Sequence, residues 1–388
     1  MNDVRDVMSF GHCCIIEEVV SPQTVQDSTD EATLSAWQTA EKTRRSIVFV
    51  NICSEYPTFT EFALTIHKNP WHTRISSKSS YAQMAKKVAF ISGGASGMGL
   101  AVAQALSSRA NEDWDLHIVD LNGNAGKKAT ASLKNAHFHQ TNVTDYASLV
   151  AAFEATWSKS GRLDFVYANA GIVERDNFYE EHPLDAPPPP PNQLSIDINF
   201  KAVVNTSYLA LHYFRKSLAK QGRDGVAPSL VMTASCGGLY PSEFCPMYSG
   251  SKAAVVQFNR AITVAFHHAG IRTFSTCPGT IKTGLLNPEE WKSFPEEYFT
   301  PIETLVDAVI KLVDGGDVED AKGKKVKSGE NWGLTVEVNG KNFYFRDGVE
   351  PCDKSMESMM KHTSMAVQLA RIEKTKREQG ASNGTNGA

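Results

Sequence analysis

The sequence predicts an α/β fold, a doubly wound parallel sheet with helices on both faces. Three observations predict it. From Met84 onward, short Val/Ile/Phe-rich runs alternate with helical patterns, the rhythm of βαβ units. The first run, "KKVAFISGG", passes directly into a glycine turn and then a helix. The runs also read as buried strands bounded by turn residues.

Taken in order, residues 1–83 hold no sustained period: apolar bursts such as "SIVFVNIC" mix with acidic and Ser/Thr-rich stretches. They are expected to be a poorly ordered N-terminal extension, dispensable for activity. A single domain spans 84–350. Its first strand is followed by a helix from about Ser96 to Arg109. "DLHIVDLN" is the second strand and "NAHFHQTNV" the third. "ASLVAAFEATWSKSG" reads as a helix with Leu149, Phe153 and Trp157 on one face. "LDFVYANAG", "SLVMTAS" and "IRTFSTCPG" are the fourth to sixth strands. Between them, the proline run from Pro183 to Asn192 is too stiff to join a sheet and is expected to be a rigid loop. "LTVEVNGKNFYFRDG" alternates around Asn339-Gly340, a hairpin signal. Residues 351–388 are expected to form a C-terminal helix and a tail disordered after Gln379. Met356, Met359, Met360 and Met365 read as helix packing in preference to a lid over substrate.

Composition narrows the function classes. With 388 residues, 41% hydrophobic and 21% charged, the chain reads as an ordinary soluble protein. A net charge of −4 gives no sign of nucleic-acid binding. The 7 cysteines are scattered without Cys-x-x-Cys spacing, and the 11 histidines show no zinc-like set, so no metal site is expected. No run approaches the roughly 20 apolar residues of a membrane span, and no secretory signal is evident. A cytoplasmic location is the expectation.

Gly93, Gly97 and Gly99 form a Gly-x-x-x-Gly-x-Gly turn between strand and helix. Glycine lets the backbone approach a pyrophosphate, and the helix N-terminus offers free N–H groups. A tight bend without a ligand is the plainer alternative. Asp120 ends the second strand, where a carboxylate can bind both adenosine ribose hydroxyls and repel a 2′-phosphate, or simply cap a turn. No Arg or Lys lies nearby, which points to NAD, with NADP possible. Within "MYSGSK", Tyr248 and Lys252 share a helical face. That spacing alone proves little, since on the order of one such pair arises by chance.

Together these motifs resemble the classical short-chain dehydrogenase/reductase family over about Lys86–Asp347. "SGGASGMG" resembles its glycine motif, with Ser92 where Thr is usual, and "NAG" (Asn169 to Gly171) its motif after the fourth strand. Asn199, Ser235, Tyr248 and Lys252 match its catalytic tetrad; "PGTIKT" (Pro278 to Thr283) resembles its nicotinamide-side segment. The resemblance implies a Rossmann-like fold and a homodimer or homotetramer. It implies cofactor contacts from Gly93, Ser96, Gly97, Met98, Gly99, Asp120, Leu121, Asn142, Val143, Asn169, Ala170 and Gly171. Tyr248, Lys252, Pro278, Gly279, Ile281 and Thr283 complete that set. Asn142 stands where the family usually has Asp, so its oxygen would contact the adenine amino group in altered form. The C-terminal hairpin is similar to that of the 15-hydroxyprostaglandin dehydrogenase-like subgroup. This implies oxidation of a secondary alcohol, or reduction of a ketone, on a lipid-like or specialised metabolite.

In that scheme Tyr248 takes the hydroxyl proton, Ser235 holds the substrate oxygen, and Asn199 holds a water linking Lys252 to solvent. A tyrosine must drop roughly 3 units from its ordinary pKa near 10 to act at neutral pH, about 4 kcal/mol. One ammonium at about 4 Å could supply that at an effective dielectric of 20. Lys252 is assigned that part. The rival reading is a nicotinamide-sensing binding protein without catalysis, which typically lacks the tyrosine or the lysine.

Overall fold

The computed structural model describes residues 86–222 and 226–384, with four short strands before them. The chain divides into two units, Met1–Tyr81 and Ala82–Ala388. In the first, β1 (Val7–Phe10), β2 (Cys13–Glu18), β3 (Ser46–Cys53) and β4 (Phe62–Ile66) pair antiparallel in that order. "SIVFVNIC", read above only as an apolar burst, is β3. The expectation of poor order in 1–83 otherwise falls outside the described residues.

The second unit is built on β5 (Lys87–Ser92), β6 (Trp114–Asp120), β7 (Ala136–Gln140), β8 (Phe165–Ala168), β9 (Ser229–Thr233) and β10 (Arg272–Pro278). A short antiparallel pair follows, β11 (Val318–Glu319) and β12 (Lys325–Val326), and then the hairpin strands β13 (Thr335–Asn339) and β14 (Asn342–Phe345). The main sheet runs β14-β13-β10-β9-β8-β5-β6-β7. All its neighbours are parallel except β13 and β14, whose turn holds Gly340 at φ +56°. The chain steps outward from β5 to β7, then returns to the other side of β5 at β8. That reversal opens a crevice at the carboxyl ends of β5 and β8, where ligands bind in such sheets.

Continuous apolar strands serve two cores. Val88 and Phe90 of β5 face one cluster, where Phe90 stacks on Phe153 with ring centroids 4.0 Å apart. Ala89 and Ile91 face the other. This is the period-2 alternation of a strand covered on both faces. Helices α1 (Gly97–Ser107), α2 (Gly123–Ala131) and α3 (Tyr146–Ser160) connect the first strands; α3 buries Leu149 and Phe153 with Trp157 packed beside them. Residues 183–192 form an exposed loop outside the sheet, as proline's missing N–H requires.

After that loop come α4 (Leu194–Ile196), a π-helical turn (Asp197–Lys201) and α5 (Ala202–Gln221). Next are α6 (Pro246–His268), α7 (Pro288–Trp291) and α8 (Ile302–Asp314). The expected single C-terminal helix is two, α9 (Lys354–His362) and α10 (Met365–Gly384), so helix extends beyond Gln379. Residues 385–388 of the expected tail lie outside the described residues. Met356, Met359, Met360 and Met365 are all exposed, which sets aside the packing reading for them. No helix among the described residues is long and apolar enough to cross a membrane.

Candidate active site

The glycine turn is a tight cradle. Gly93 and Gly97 adopt positive φ (+63° and +51°), a region that side chains rarely enter. A Cβ on Gly99 would lie 2.3 Å from the Gly93 carbonyl oxygen and 2.8 Å from Asn169 Nδ2. Gly99 therefore lies under the turn, letting α1 begin against its own approach, and does not line the crevice. Ser96, the N-cap of α1, makes no side-chain cap bond, and the first turn has no acidic residue. The helix thus presents N–H groups and a partial positive charge suited to a phosphate.

Three side chains brace this cradle. Asn169 donates from Nδ2 to the Ser92 and Gly93 carbonyls (both 3.3 Å), while its Oδ1 accepts from Thr233 Oγ1 at 3.1 Å. Asp120 accepts from the Ala95 N–H on Oδ2 (3.1 Å) and from the Asn122 N–H on Oδ1 (3.0 Å). Its carboxylate is therefore fixed at the end of β6 and also supports the turn. Ser92 Oγ accepts from the Asn169 N–H at 3.0 Å, so serine performs the bracing there.

A cavity of about 460 Å³ opens over these groups. Gly93, Ser96, Gly97, Met98, Asp120, Leu121, Asn142, Val143, Asn169, Ala170, Gly171 and Thr283 all line it. The cradle and the free helix end fit a nicotinamide dinucleotide. Thr141, Ile172, Val173, Arg175, Ile198, Gly284 and Leu285 also line it and were not identified from sequence, though Ile172 and Val173 directly continue the Asn169–Gly171 motif. Asn142 Oδ1 accepts from the N–H and the hydroxyl of Thr144 (3.1 and 2.8 Å). The adenine contact expected of that oxygen would compete with this local turn.

A second cavity, about 510 Å³, adjoins the first and shares Met98, Asn169, Gly171 and Thr283 with it. Ser235, Tyr248, Lys252, Pro278, Gly279 and Ile281 line it. Most of its remaining wall is apolar, including Ile172, Val173, Phe244, Leu286, Trp291 and Phe294. Arg175 ties two of its borders together, pairing with Glu290 at 2.7 Å and donating to the Leu285 carbonyl at 2.8 Å.

Tyr248 and Lys252 project from the first turns of α6, and Ser235 follows β9. Ser235 Oγ accepts from the Gly237 N–H at 3.1 Å and lines the same cavity as Tyr248. Lys252 is buried; its Nζ donates to the Thr233 carbonyl at 2.8 Å and lies 5.8 Å from the centre of the Tyr248 ring. Burial pushes Tyr248 above the ordinary tyrosine pKa, opposed by neighbouring Ser235 and reinforced by Cys236 and Cys245. Burial also brings Lys252 down to about 8. The expectation that Lys252 pulls Tyr248 toward neutrality is thus not met by the protein's own groups: desolvation dominates and the ammonium is turned to a carbonyl.

Asn199 sits fully buried in the π-helical turn, a distortion common at functional sites. Its Oδ1 accepts from the Ile172 N–H (2.9 Å), and Nδ2 donates to the Ile172 carbonyl (2.8 Å) and Ser251 Oγ (3.2 Å). The side chain therefore ties the loop after Gly171 to α6. A Cβ on Gly171 would approach Asn199 Oδ1 at 3.1 Å and Lys252 Nζ at 3.3 Å, so the glycine leaves that space clear. Glu174, which no motif marks, accepts the Tyr248 backbone N–H on Oε2 at 2.5 Å.

Away from the crevice, one group among the described residues is arranged to suit a metal ion: Asp115, His117 and His137. His117 and His137 are register partners on adjacent strands, a proximity that linear spacing does not reveal. Each already has protein partners. His137 Nε2 and Asp115 Oδ1 are 2.9 Å apart, Ser160 Oγ donates to Asp115 Oδ2 at 2.6 Å, and His117 Nε2 meets Ser160 Oγ at 2.8 Å. Burial and the neighbouring His139 push His117 down to about 3.

The short chain dehydrogenase family profile matches residues 87–292. A Penicillium rubens protein, short-chain dehydrogenase/reductase prx7, is 44% identical over 285 residues, covering 71% of this chain and 99% of its own. Human 15-hydroxyprostaglandin dehydrogenase [NAD(+)] is 29% identical over 53% of this chain and 71% of its own. Among solved structures, a 3-ketoacyl-(acyl-carrier-protein) reductase from Brucella melitensis complexed with NADH superposes with a TM-score of 0.52. It is 22% identical and covers 66% of this chain and 97% of its own, a likeness of fold.

Proposed function

The chain belongs to the short-chain dehydrogenase/reductase family, and from that premise we propose that it interconverts a secondary alcohol and its ketone on a hydrophobic small molecule. It is an oxidoreductase acting on CH–OH groups with NAD or NADP. The observation that carries the finer reading is that Ser235, Tyr248 and Lys252 together line a largely apolar cavity that adjoins the dinucleotide cradle.

The α1 N-terminus with Gly93, Ser96 and Gly97 would hold the pyrophosphate, and Asp120 the adenosine ribose, which supports NAD as the preferred form. Lys252, which lines the second cavity, would hold the second ribose. When bound, the nicotinamide supplies the hydride acceptor or donor. Everything else falls to the chain. Ser235 Oγ orients the substrate oxygen beside the Tyr248 hydroxyl, which gives or takes the proton there. Raised by burial, Tyr248 is protonated at neutral pH, the state that ketone reduction requires. Asn199 holds the Ile172 backbone against α6 and so keeps the crevice wall in place. Assembly as a homodimer or homotetramer, and a cytoplasmic location, belong to the same proposal.

Tyr248→Phe removes one oxygen and keeps the ring. NADH affinity by titration should stay near that of the unmodified protein, while turnover of any accepted alcohol should fall by about 10²–10⁴. Lys252→Ala should lose both affinity and turnover. Undiminished turnover in Tyr248→Phe would remove Tyr248 from the chemistry. Tight NAD binding with no turnover over a broad panel of alcohols and ketones would favour the sensor reading.

A further inference from the structure

Glu174 has one carboxyl oxygen explained and one unexplained. Its Oε2 caps α6 from outside, accepting the Tyr248 N–H, where the helix's own N-cap Cys245 offers no side-chain bond. Its Oε1 is buried and has no hydrogen-bond partner in the protein. Only 9% of the residue is exposed, and it lines the cavity of about 510 Å³ beside Ser235 and Tyr248. Capping needs a single oxygen, and the neutral amide of Gln, equal in length, would supply it. A buried carboxyl oxygen without a donor is costly, so it calls for a reason. A donor entering the cavity is such a reason, and the terminal carboxyl torsion is soft enough for the oxygen to follow it.

We propose that Glu174 is a specificity-determining residue that accepts, on Oε1, a hydroxyl carried by the substrate several bonds from the carbinol. This rests on the alcohol–ketone reading above. The separation follows from the geometry: the carboxyl is anchored at the Tyr248 backbone, whereas the chemistry occurs at the far end of that side chain. A vicinal diol cannot span a tyrosine's length. The wall offered by Ile172, Val173, Phe244 and Trp291 suits an apolar stretch between the two polar points. The Lys252 ammonium in the same cavity favours a neutral hydroxyl donor over a cationic amine.

A short series of 2-alkanols, each against the same alcohol bearing a hydroxyl at its far end, tests this. NADH production gives kcat/KM for each pair, in the unmodified protein and in Glu174→Gln and Glu174→Ala. The hydroxylated partner should be favoured by about 10- to 100-fold at the chain length that spans the two points. Glu174→Ala should collapse that ratio. Glu174→Gln retains a capping oxygen but offers an amide N–H beside it, and should lower the ratio through KM. A ratio near one at every length in the unmodified protein overturns the proposal while leaving the alcohol–ketone reading intact. So does a ratio unchanged in both variants, or an equal loss on both alcohols, which marks a capping role alone. Failure to oxidise any alcohol or reduce any ketone overturns the parent reading and this one with it.

Discussion

Replacing Gly99 with Ala tests whether the turn after β5 is a phosphate cradle. The added Cβ would stand 2.3 Å from the Gly93 carbonyl oxygen and 2.9 Å from its carbon, against an ordinary contact of 3.4–4 Å. Relief requires roughly 1 Å of backbone movement, since neither atom belongs to a flexible side chain. The turn cannot yield freely: Asn169 holds the Gly93 carbonyl, and Asp120 holds the Ala95 N–H. Overpacking of this kind typically costs about 1–3 kcal/mol of stability. The displaced N–H groups would lose charge-assisted bonds to a phosphate worth about 1.5–3 kcal/mol each, so Kd for NADH should rise about 10- to 100-fold. Gly250 is the control. It lies within α6 with nothing within 4 Å of an added Cβ, and Gly250→Ala should gain up to about 1 kcal/mol from helix propensity. The assays are NADH titration by fluorescence and urea unfolding on the same preparations. If Gly99→Ala binds NADH as tightly as the unmodified protein, the pyrophosphate does not rest on this turn.

Two further outcomes are expected. Asp120→Ala should narrow the preference for NAD over NADP in kcat/KM, and Asp120→Asn, which keeps an oxygen for the Ala95 N–H, should separate charge from bracing; a protein that prefers NADP from the start contradicts the reading of β6. Stability should fall with pH below about 6.5. His117 is held neutral in the fold down to about 3, so between those values the unfolded chain binds the extra proton, and the loss is at most about 1.4 kcal/mol per unit. Half-buried His139 is shifted the same way and adds to it. Urea unfolding at pH 7, 6 and 5 measures the slope, and an equal slope in His117→Gln would show that this histidine is not the source.

The strand runs and the glycine turn were legible because each rests on a local pattern. Continuous apolar stretches specify buried strands, and glycine at fixed offsets specifies a turn that side chains cannot make. What depends on distant residues was not legible. The His117–His137 pair exists because parallel β6 and β7 pair in one particular register, and the sequence between them carries no trace of it. Glu174 lies in a loop, yet it caps a helix that begins some seventy residues later in the chain. Composition also misjudged the C-terminus, where polar residues after Gln379 continue α10 to Gly384.

The same distinction separates recognising Tyr248 and Lys252 from understanding them. Helical spacing correctly puts both on one face, but it assigns no direction to a long, flexible ammonium. Lys252 Nζ is turned to the Thr233 carbonyl, and Thr233 in turn donates to Asn169, which braces the glycine turn. One chain of contacts therefore joins Lys252 in one cavity to the glycine turn beneath the other. Burial meanwhile acts on both groups against their charged forms, raising Tyr248 and lowering Lys252 to about 8. Spacing gives the residues that meet, and the balance of burial against contact decides which charge state each one favours.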